Sequence, residues 1–408
     1  MKRAIWGRMS EIKHTDILVA GAGPTAFAAA LEASAAGFKI AMAAPDDTHL
    51  ESDARTTALM MPAIDLLKNM GVWDGIESNT APLRVLRIID DTGRLLRAPS
   101  VDFKSSETGY DQFGFNIPNR VLNGAMRTAV ENDENITVHN AMVSAVAFDT
   151  NHVSATLSNG TIIDANLIVG ADGANSLVRN AADIGVRKWD YPQTALVTAF
   201  DHERPHQGVS AEFHTPQGPF TQVPLPGNRS SLVWVVEPER VSELTAMDKA
   251  ELSLLIEKNL QHTLGKIKNP ATLQAWPLSA SVAHRFGHER VMLVGHAAHS
   301  FPPIGAQGLN LGFRDIDDLG AVLSDAKAAG YELGSSKVTR AYDRRRRADI
   351  YVRTGAVDAL NRSLLTDLLP VQALRATGLS ALKNISFLRS FFMREGISPG
   401  GGLRGLFD

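Results

Sequence analysis

The chain has no cysteine among its 408 residues. That excludes disulfides, thiolate zinc sites, iron–sulfur ligation and a cysteine nucleophile. It fits a reducing compartment, and a cytoplasmic location is expected. Aromatic residues are sparse, at 6%. Neither sign of charge dominates: 41 Lys and Arg face 44 Asp and Glu, a formal net of −3. That balance argues against a globally basic nucleic-acid binder. No apolar run reaches the roughly 18 residues of a membrane-spanning helix. The opening residues to His14 carry charges but no apolar secretory core. Residues 1–8 read as a tail, with Met9 as a candidate start.

What is present suits a large folded core: 44% hydrophobic and 21% charged residues. At roughly 150 residues per domain, the length suggests two or three lobes. Asp16-Ile-Leu-Val-Ala20 reads as a strand, Gly21-Ala-Gly23-Pro-Thr-Ala26 as a turn, and the Ala-rich run to Ala36 as a helix. Gly37 stops that helix and Phe38–Ala43 follows as a strand. Together they make a βαβ unit. A helix is expected over 55–69, a hairpin over 84–97, and a helix over 120–131 capped by Asn119. Short strands fit 136–147, 152–157, 161–163 and 167–169. From about 190 to 280 strands at 194–201, 210–215, 220–224 and 231–236 alternate with Pro/Gly turns, and a helix fits 248–260. A strand at 291–294 leads into a Gly-rich loop and a helix to about 327. Residues 336–393 read as helical, broken at Pro370.

Three segments carry chemistry. In the first turn, Gly21 permits the bend, Gly23 lets backbone approach a pyrophosphate, and Ala26 keeps helix and strand close. The helix N-terminus offers N–H groups and positive dipole to phosphates. The acid usual at the end of the second strand is replaced by Ala44, leaving Asp46 or Asp47 for the ribose. The second segment is Gly170-Ala-Asp172-Gly173-Ala-Asn-Ser176-Leu-Val-Arg179, a Gly-flanked acceptor before a helix start. It reads as a polyhydroxyl contact or as a plain helix cap. The third is Gly295-His296-Ala-Ala-His299-Ser-Phe-Pro-Pro303-Ile-Gly305-Ala-Gln307-Gly308-Leu-Asn310, a rigid loop facing a helix N-terminus, suited to a planar ring with developing negative charge. His284, His288, His296 and His299 fall close together but do not read as a metal site, since no cysteine assists and a turn separates the first pair.

At these segments the sequence resembles the class A flavoprotein aromatic hydroxylases, and it looks most like the ubiquinone-biosynthesis hydroxylases of the UbiH/UbiF kind. The nearer likeness rests on Asp53-Ala-Arg55-Thr-Thr-Ala58-Leu59, on Asn310-Leu-Gly-Phe-Arg-Asp315 and on Tyr342-Asp-Arg-Arg-Arg-Arg347. It covers about 14 to 397. The resemblance implies an α/β fold: a Rossmann-like FAD-binding domain (PHBH-type) built from 14–78, 113–188 and 284–330. It implies an inserted β-rich substrate domain from 79–112 and 189–283, and a helical C-terminal region, 331–408. It further implies non-covalent FAD, O2, an aromatic polyprenyl-phenol substrate, NAD(P)H or another electron donor, and hydroxylation through a flavin C4a-hydroperoxide.

By the same resemblance, Gly21, Gly23 and Ala26 would meet the pyrophosphate, and Arg55 and Arg120 the ribose, phosphates or ribityl chain. Asp172 and Gly173 would lie near FAD and the donor's path. Pro303, Gly305, Gln307, Gly308 and Asn310 would line the isoalloxazine. Phe213, Phe220 and Trp234 are candidates to roof the substrate. No general base is assigned; Asp111, Gln112 and Asn116 are unranked. His296 stands where the family has an aspartate for the ribityl hydroxyls. With Ala44, that departure keeps a second reading open: a flavin-poor, non-catalytic accessory subunit of a quinone-biosynthesis assembly. Hydroxylation of a small soluble aromatic is a further alternative. Residues 340–394 hold eleven Lys/Arg against four Asp, a net +7. They read as a solvated helix face around Arg344–Arg347, or as a contact with the inner membrane or a biosynthetic complex.

Overall fold

In a computed structural model, residues 12–46, 53, 55–93, 99–302 and 307–365 are described, together with Asn384, Arg389 and Met393. The first strand starts earlier than its apolar run implies: β1 spans Ile12–Ala20. Its last four residues, Ile17 to Ala20, are all buried, as expected of a parallel strand covered on both faces. Helix α1 (Pro24–Ala35) places five alanines (26, 28, 29, 30 and 33) at zero exposure, so it lies close on the sheet. Gly37, at φ +83°, reverses the chain into β2 (Ile40–Ala43).

The helix expected over 55–69 is instead a strand and a shorter helix, β3 (Thr56–Met60) and α2 (Met61–Asn69). Two adjacent β-branched threonines favour the extended form, and Pro62 in the first turn fixes where the helix begins. Next come β4 (Ala81–Leu83), β5 (Val85–Asp90), β6 (Val101–Lys104), β7 (Gly114–Pro118) and α3 (Asn119–Glu131). Asn119 does not cap α3. Pro118 occupies the cap position, and the Asn119 side chain accepts from Thr57 Oγ1 at 2.7 Å.

The strand expected over 136–147 is broken into β8 (Ile136–His139) and β9 (Val143–Phe148), with Ala141 N bonded back to the His139 carbonyl. Strand β10 (Val153–Leu157) leads into β11 (Ile162–Gly170), one continuous strand where two were expected. After α4 (Leu177–Ala181) the chain returns to the sheet of β5 and β6 with β12 (Val186–His202). Then come β13 (Val209–Thr215), β14 (Gly218–Leu225), β15 (Arg229–Val236), α5 (Val241–Ala246) and α6 (Lys249–Asn259). Asp248 caps α6 by accepting from Ala250 N and Glu251 N. The chain continues through β16 (Ile267–Lys268), β17 (Gln274–Ala283), β18 (Gly287–His288), β19 (Val291–Leu293), β20 (His299–Ser300), α7 (Gln307–Ala328) and α8 (Ser336–Leu365).

These strands form an α/β architecture with three sheets. The first runs β18-β19-β11-β1-β2-β8, with β9 and β10 added antiparallel along the first half of β11. The second runs β20-β17-β12-β15-β14-β13-β5-β6, with β16 on β12. Between them lies the small sheet β3-β7-β4. Phe213, Phe220 and Trp234 do not roof a substrate site. They are nearly fully buried and stack edge-on, 6.1 and 5.3 Å between successive centroids, in the core that also holds Leu244, Leu252 and Ile256 of the two helices beneath the second sheet. Their strand positions put them on the apolar, helix-covered face.

The run Arg344–Arg347 is not wholly a solvated face. Arg346 is 1% exposed and donates to Asp315 at 2.7 Å, Asp318 at 2.8 Å and Asp349 at 3.1 Å. Tyr342, equally buried, donates to the Leu293 carbonyl at 2.9 Å. Helix α8 is thereby fastened to α7 and to the end of β19. The expected break at Pro370 lies outside the described residues.

Candidate functional site

Three neighbouring parallel strands, β1, β11 and β19, end level with one another: Ala20 pairs with Gly170, and Gly170 with Leu293. Each is followed by one of the three glycine-bearing segments, so these meet at one edge of the sheet. Loops beyond the carboxyl ends of parallel strands are where such folds bind ligands. Backbone bonds fix the approach: Ala171 N donates to Ala20 O at 2.9 Å, and Val294 N to Gly170 O at 3.0 Å. Gly21 sits at φ +137°, and a Cβ there would stand 2.3 Å from the Ala171 carbonyl oxygen. Ala26 is buried behind it. Thr25 fills the gap to the third segment: a Cβ on Gly295 or Gly312 would fall 2.6 or 2.5 Å from its side chain. Arg179, 1% exposed, clamps the second segment to the third, donating to Ala174 O and Ala297 O, both at 3.0 Å. Burial holds its pKa below the ordinary arginine value.

The acids and bases of the site divide into braced and open groups. Asp172 Oδ2 accepts from Leu177 N at 2.7 Å and Val178 N at 3.1 Å, so it does cap α4. Its other oxygen, Oδ1, is buried without a partner among the described residues. Gly173 follows at φ +86° with open space where a Cβ would be. Beneath the third segment, Asp315 is fully buried and accepts from Gly295 N and His299 Nε2, both at 2.8 Å, and from Arg346. Burial alone would raise its pKa, but the His299 and Arg346 charges and these bonds outweigh it and leave the carboxyl below its usual value. Sequence reasoning noted Asp315 and Arg346 only as family letters. Their pairing was hidden because one lies on α7 and the other within a basic run on α8.

His296 is exposed, yet neighbouring protein partly desolvates it. That desolvation first, and then the charges of His299 and Arg55, lower its pKa, so the imidazole is neutral at neutral pH. Arg55 donates to both oxygens of Asp53, at 2.8 and 2.9 Å, and its guanidinium lies 4.7 Å over the ring of Trp276. Arg120 is exposed in the first turn of α3. Asn310 uses its amide on β3, accepting from Met60 N and donating to Ala58 O, both at 2.8 Å. Gly308 lies in the first turn of α7, next to Gln307, and a Cβ there would meet nothing within 4 Å. Pro303 and Gly305 lie outside the described residues.

At the second strand's end, Ala44 is buried and Asp46 is held by Arg127 and Asn140. Neither of those partners was foreseen. Asn116 is buried, donates to Pro224 O at 2.8 Å, and leaves its own carbonyl oxygen without a partner. Among the described residues no group of three or more His, Asp or Glu could hold a metal.

Residues 14–350 match a family model described as an FAD binding domain. The chain belongs to this family, the class A flavoprotein hydroxylases. It is 32% identical over 388 residues to the ubiquinone hydroxylase UbiL of Rhodospirillum rubrum, covering 94% of this chain and 89% of that one. It is also 32% identical over 383 residues to the 3-demethoxyubiquinol 3-hydroxylase of Escherichia coli K12, covering 92% and 96%. Among solved structures, the p-nitrophenol 4-monooxygenase PnpA of Pseudomonas putida DLL-E4 superposes with a TM-score of 0.76 at 18% identity, over 96% of this chain and 98% of that one. That likeness carries the fold.

This flavoprotein hydroxylase is an FAD-dependent monooxygenase, and its residues fit the cofactor. No side chain caps the N-terminus of α1, which leaves that end to an anion. Among the described residues nothing lies within 4 Å of a Cβ placed on Gly23, Gly173 or Gly308. The Asp172 Oδ1 acceptor is free for a hydroxyl. Neither departure from the family pattern fills the site. Ala44 lies in the core of the first sheet, and a neutral His296 can hydrogen-bond a hydroxyl without bringing a charge. Among the described residues no helix is long and apolar enough to cross a membrane.

Proposed function

We propose that this enzyme hydroxylates the aromatic ring of a polyprenyl-phenol in ubiquinone biosynthesis, with NAD(P)H as electron donor. The observation that carries the reading is full-length identity of 32% to two separate hydroxylases named for ubiquinone chemistry. Reduced FAD, when bound, supplies oxygen activation: one atom of O2 enters the ring and the other leaves as water, with two electrons from the donor.

In this reading the chain's residues divide the work. Gly21, Gly23 and Ala26, with the start of α1, take the pyrophosphate on backbone N–H groups. Arg55 and Arg120 supply positive charge to the phosphates and ribose. Asp172, Gly173 and His296 hold ribityl hydroxyls. Pro303, Gly305, Gln307 and Gly308 would take the flavin ring, and the N-terminal end of α7 favours negative charge developing there. Asn310 positions that start against β3. Domain limits follow the same division: 14–78, 113–188 and 284–330 for the cofactor, 79–112 and 189–283 for the substrate, and 331–408 for the helical end.

The enzyme works at the cytoplasmic face of the inner membrane, where a polyprenylated phenol resides. Lys337, Arg340, Arg344 and Arg347 recur at helical spacing along the exposed side of α8, between exposed Tyr331 and Tyr351. Cations flanked by interfacial aromatics suit an anionic phospholipid surface. The test uses purified protein, FAD, NAD(P)H and 18O2, with a prenylated phenol presented in anionic vesicles. A product carrying one 18O atom supports the reading. NAD(P)H oxidation yielding only hydrogen peroxide, for every prenylated phenol tried, rejects it. Turnover only on a short-chain soluble phenol, with no sedimentation on vesicles, rejects the membrane placement.

A further inference from the structure

Strand β17 of the second sheet sends an indole across to the cofactor side. Trp276 remains 44% exposed, although burial is the usual state of so large an apolar ring. Its neighbours Ala275 and Pro277 are exposed as well, so the strand end projects beyond the core. What the ring does meet is Arg55, whose guanidinium carbon lies 4.7 Å from the ring centroid. That is the geometry of a cation–π contact.

Arg55 is restrained from a second direction. Its Nε and Nη2 donate to the two oxygens of Asp53 at 2.8 and 2.9 Å, and its backbone N donates to the same carboxylate at 3.0 Å. The Asp53 side chain is only 8% exposed and also accepts from Asn119 Nδ2 at 3.4 Å. Asn119 is held in turn by Thr57. One edge and one face of the guanidinium are therefore fixed. Among the described residues no acceptor meets Nη1. Arg55 directly precedes β3, the strand to which Asn310 ties the start of α7.

We propose that Trp276 and Asp53 hold the Arg55 guanidinium in place for the phosphates of FAD, so that a residue of the substrate-side sheet sets cofactor affinity. This rests on the cofactor site proposed above. An arginine free to rotate loses conformational entropy when it grips a phosphate. One already stacked and bidentately paired lost that freedom when the chain folded, and its remaining N–H groups make charge-assisted bonds at once. Trp276 is a positioning residue; it need not touch the cofactor. The pairing with Asp53 offsets part of the Arg55 charge, so geometry rather than added charge is the gain.

The test titrates FAD into the FAD-free protein and reads flavin fluorescence. Trp276→Leu is expected to raise the FAD dissociation constant about tenfold, and Trp276→Tyr by less than about threefold, because a phenol ring keeps the stacking. In a double-mutant cycle, Arg55→Gln should weaken FAD binding clearly less in the W276L background than in the wild type. Melting of the FAD-free protein should change little in W276L, since Trp276 lies outside the buried core. If W276L does not fold, Trp276→Lys sets a like charge against Arg55 at an exposed position and carries the same expectation. Equal affinity in W276L and wild type overturns the proposal. So do independent, multiplying effects of the two substitutions. Wild-type protein that takes up no FAD overturns the cofactor-site reading, and the positioning role with it.

Discussion

At the scale of single residues, two glycines in one turn have different tasks. Gly21 is needed by the fold: its φ is +137°, and an added Cβ would collide with the Ala171 carbonyl. Gly23 has an ordinary extended backbone, φ −95° and ψ 175°, and nothing within 4 Å of a Cβ. Gly21→Ala is therefore expected to destabilise the protein by about 2–3 kcal/mol, with a lowered melting temperature. Gly23→Ala should melt as the wild type does, yet bind FAD at least about tenfold more weakly, because the methyl enters the space before α1. Denaturation curves and FAD titrations on the two variants check this. Equal effects of both on melting would show that Gly23 serves packing instead. Spacing alone assigns the two glycines these parts. The role of Thr25 as the wedge between the first and third segments was not legible, since nothing local relates it to Gly295 or Gly312.

At the scale of elements, helices α7 and α8 are joined beneath the third segment by buried charge. Arg346 meets three carboxylates, and Asp315 meets Arg346, His299 and the Gly295 amide. Removing one partner of such a group strands the others in a dry interior. Arg346→Met is expected to lose about 3–5 kcal/mol of stability, read by chemical denaturation, whereas Arg344→Met on the exposed face should change it by less than about 0.5 kcal/mol. A small loss for both would mean that water reaches Asp315. Local pattern favoured a uniform basic face for 344–347, because two of the three acids that single out Arg346, Asp315 and Asp318, lie on α7, distant in the chain. The same limit explains β3, where helical spacing of Leu59, Ala63, Leu66 and Leu67 concealed a strand paired with β7. The βαβ unit, by contrast, was legible apart from the first residues of its two strands, since glycine positions and apolar runs are local signals.

At the scale of the whole molecule, three histidines share one bias. His139, His202 and His296 all have pKa values below 6.5, with desolvation as the first cause in each. A base with a depressed pKa in the fold takes up its proton first in the unfolded chain. Stability is therefore intact above pH 6.5 and declines as pH falls from there toward the folded pKa values. Asp53 and Asp315 add a second decline at lower pH: their folded pKa values lie below the ordinary 3.8, so protonation again favours the unfolded chain. Melting temperatures should fall between about pH 7.5 and 5.5 and more steeply below about pH 4; a profile flat to pH 5 would contradict the lowered pKa values of these imidazoles.

The level ends of β1, β11 and β19 also govern how the chain matures. The third strand of that trio, at Val291–Leu293, emerges from the ribosome about 120 residues after β11 has been made. Until then the outer edge of the second half of β11, beyond its pairing with β10, is unpaired and open to stray association. Cofactor loading must wait for late synthesis, and a truncated or stalled nascent chain ending before Gly295 would remain colourless however much FAD the cell supplies.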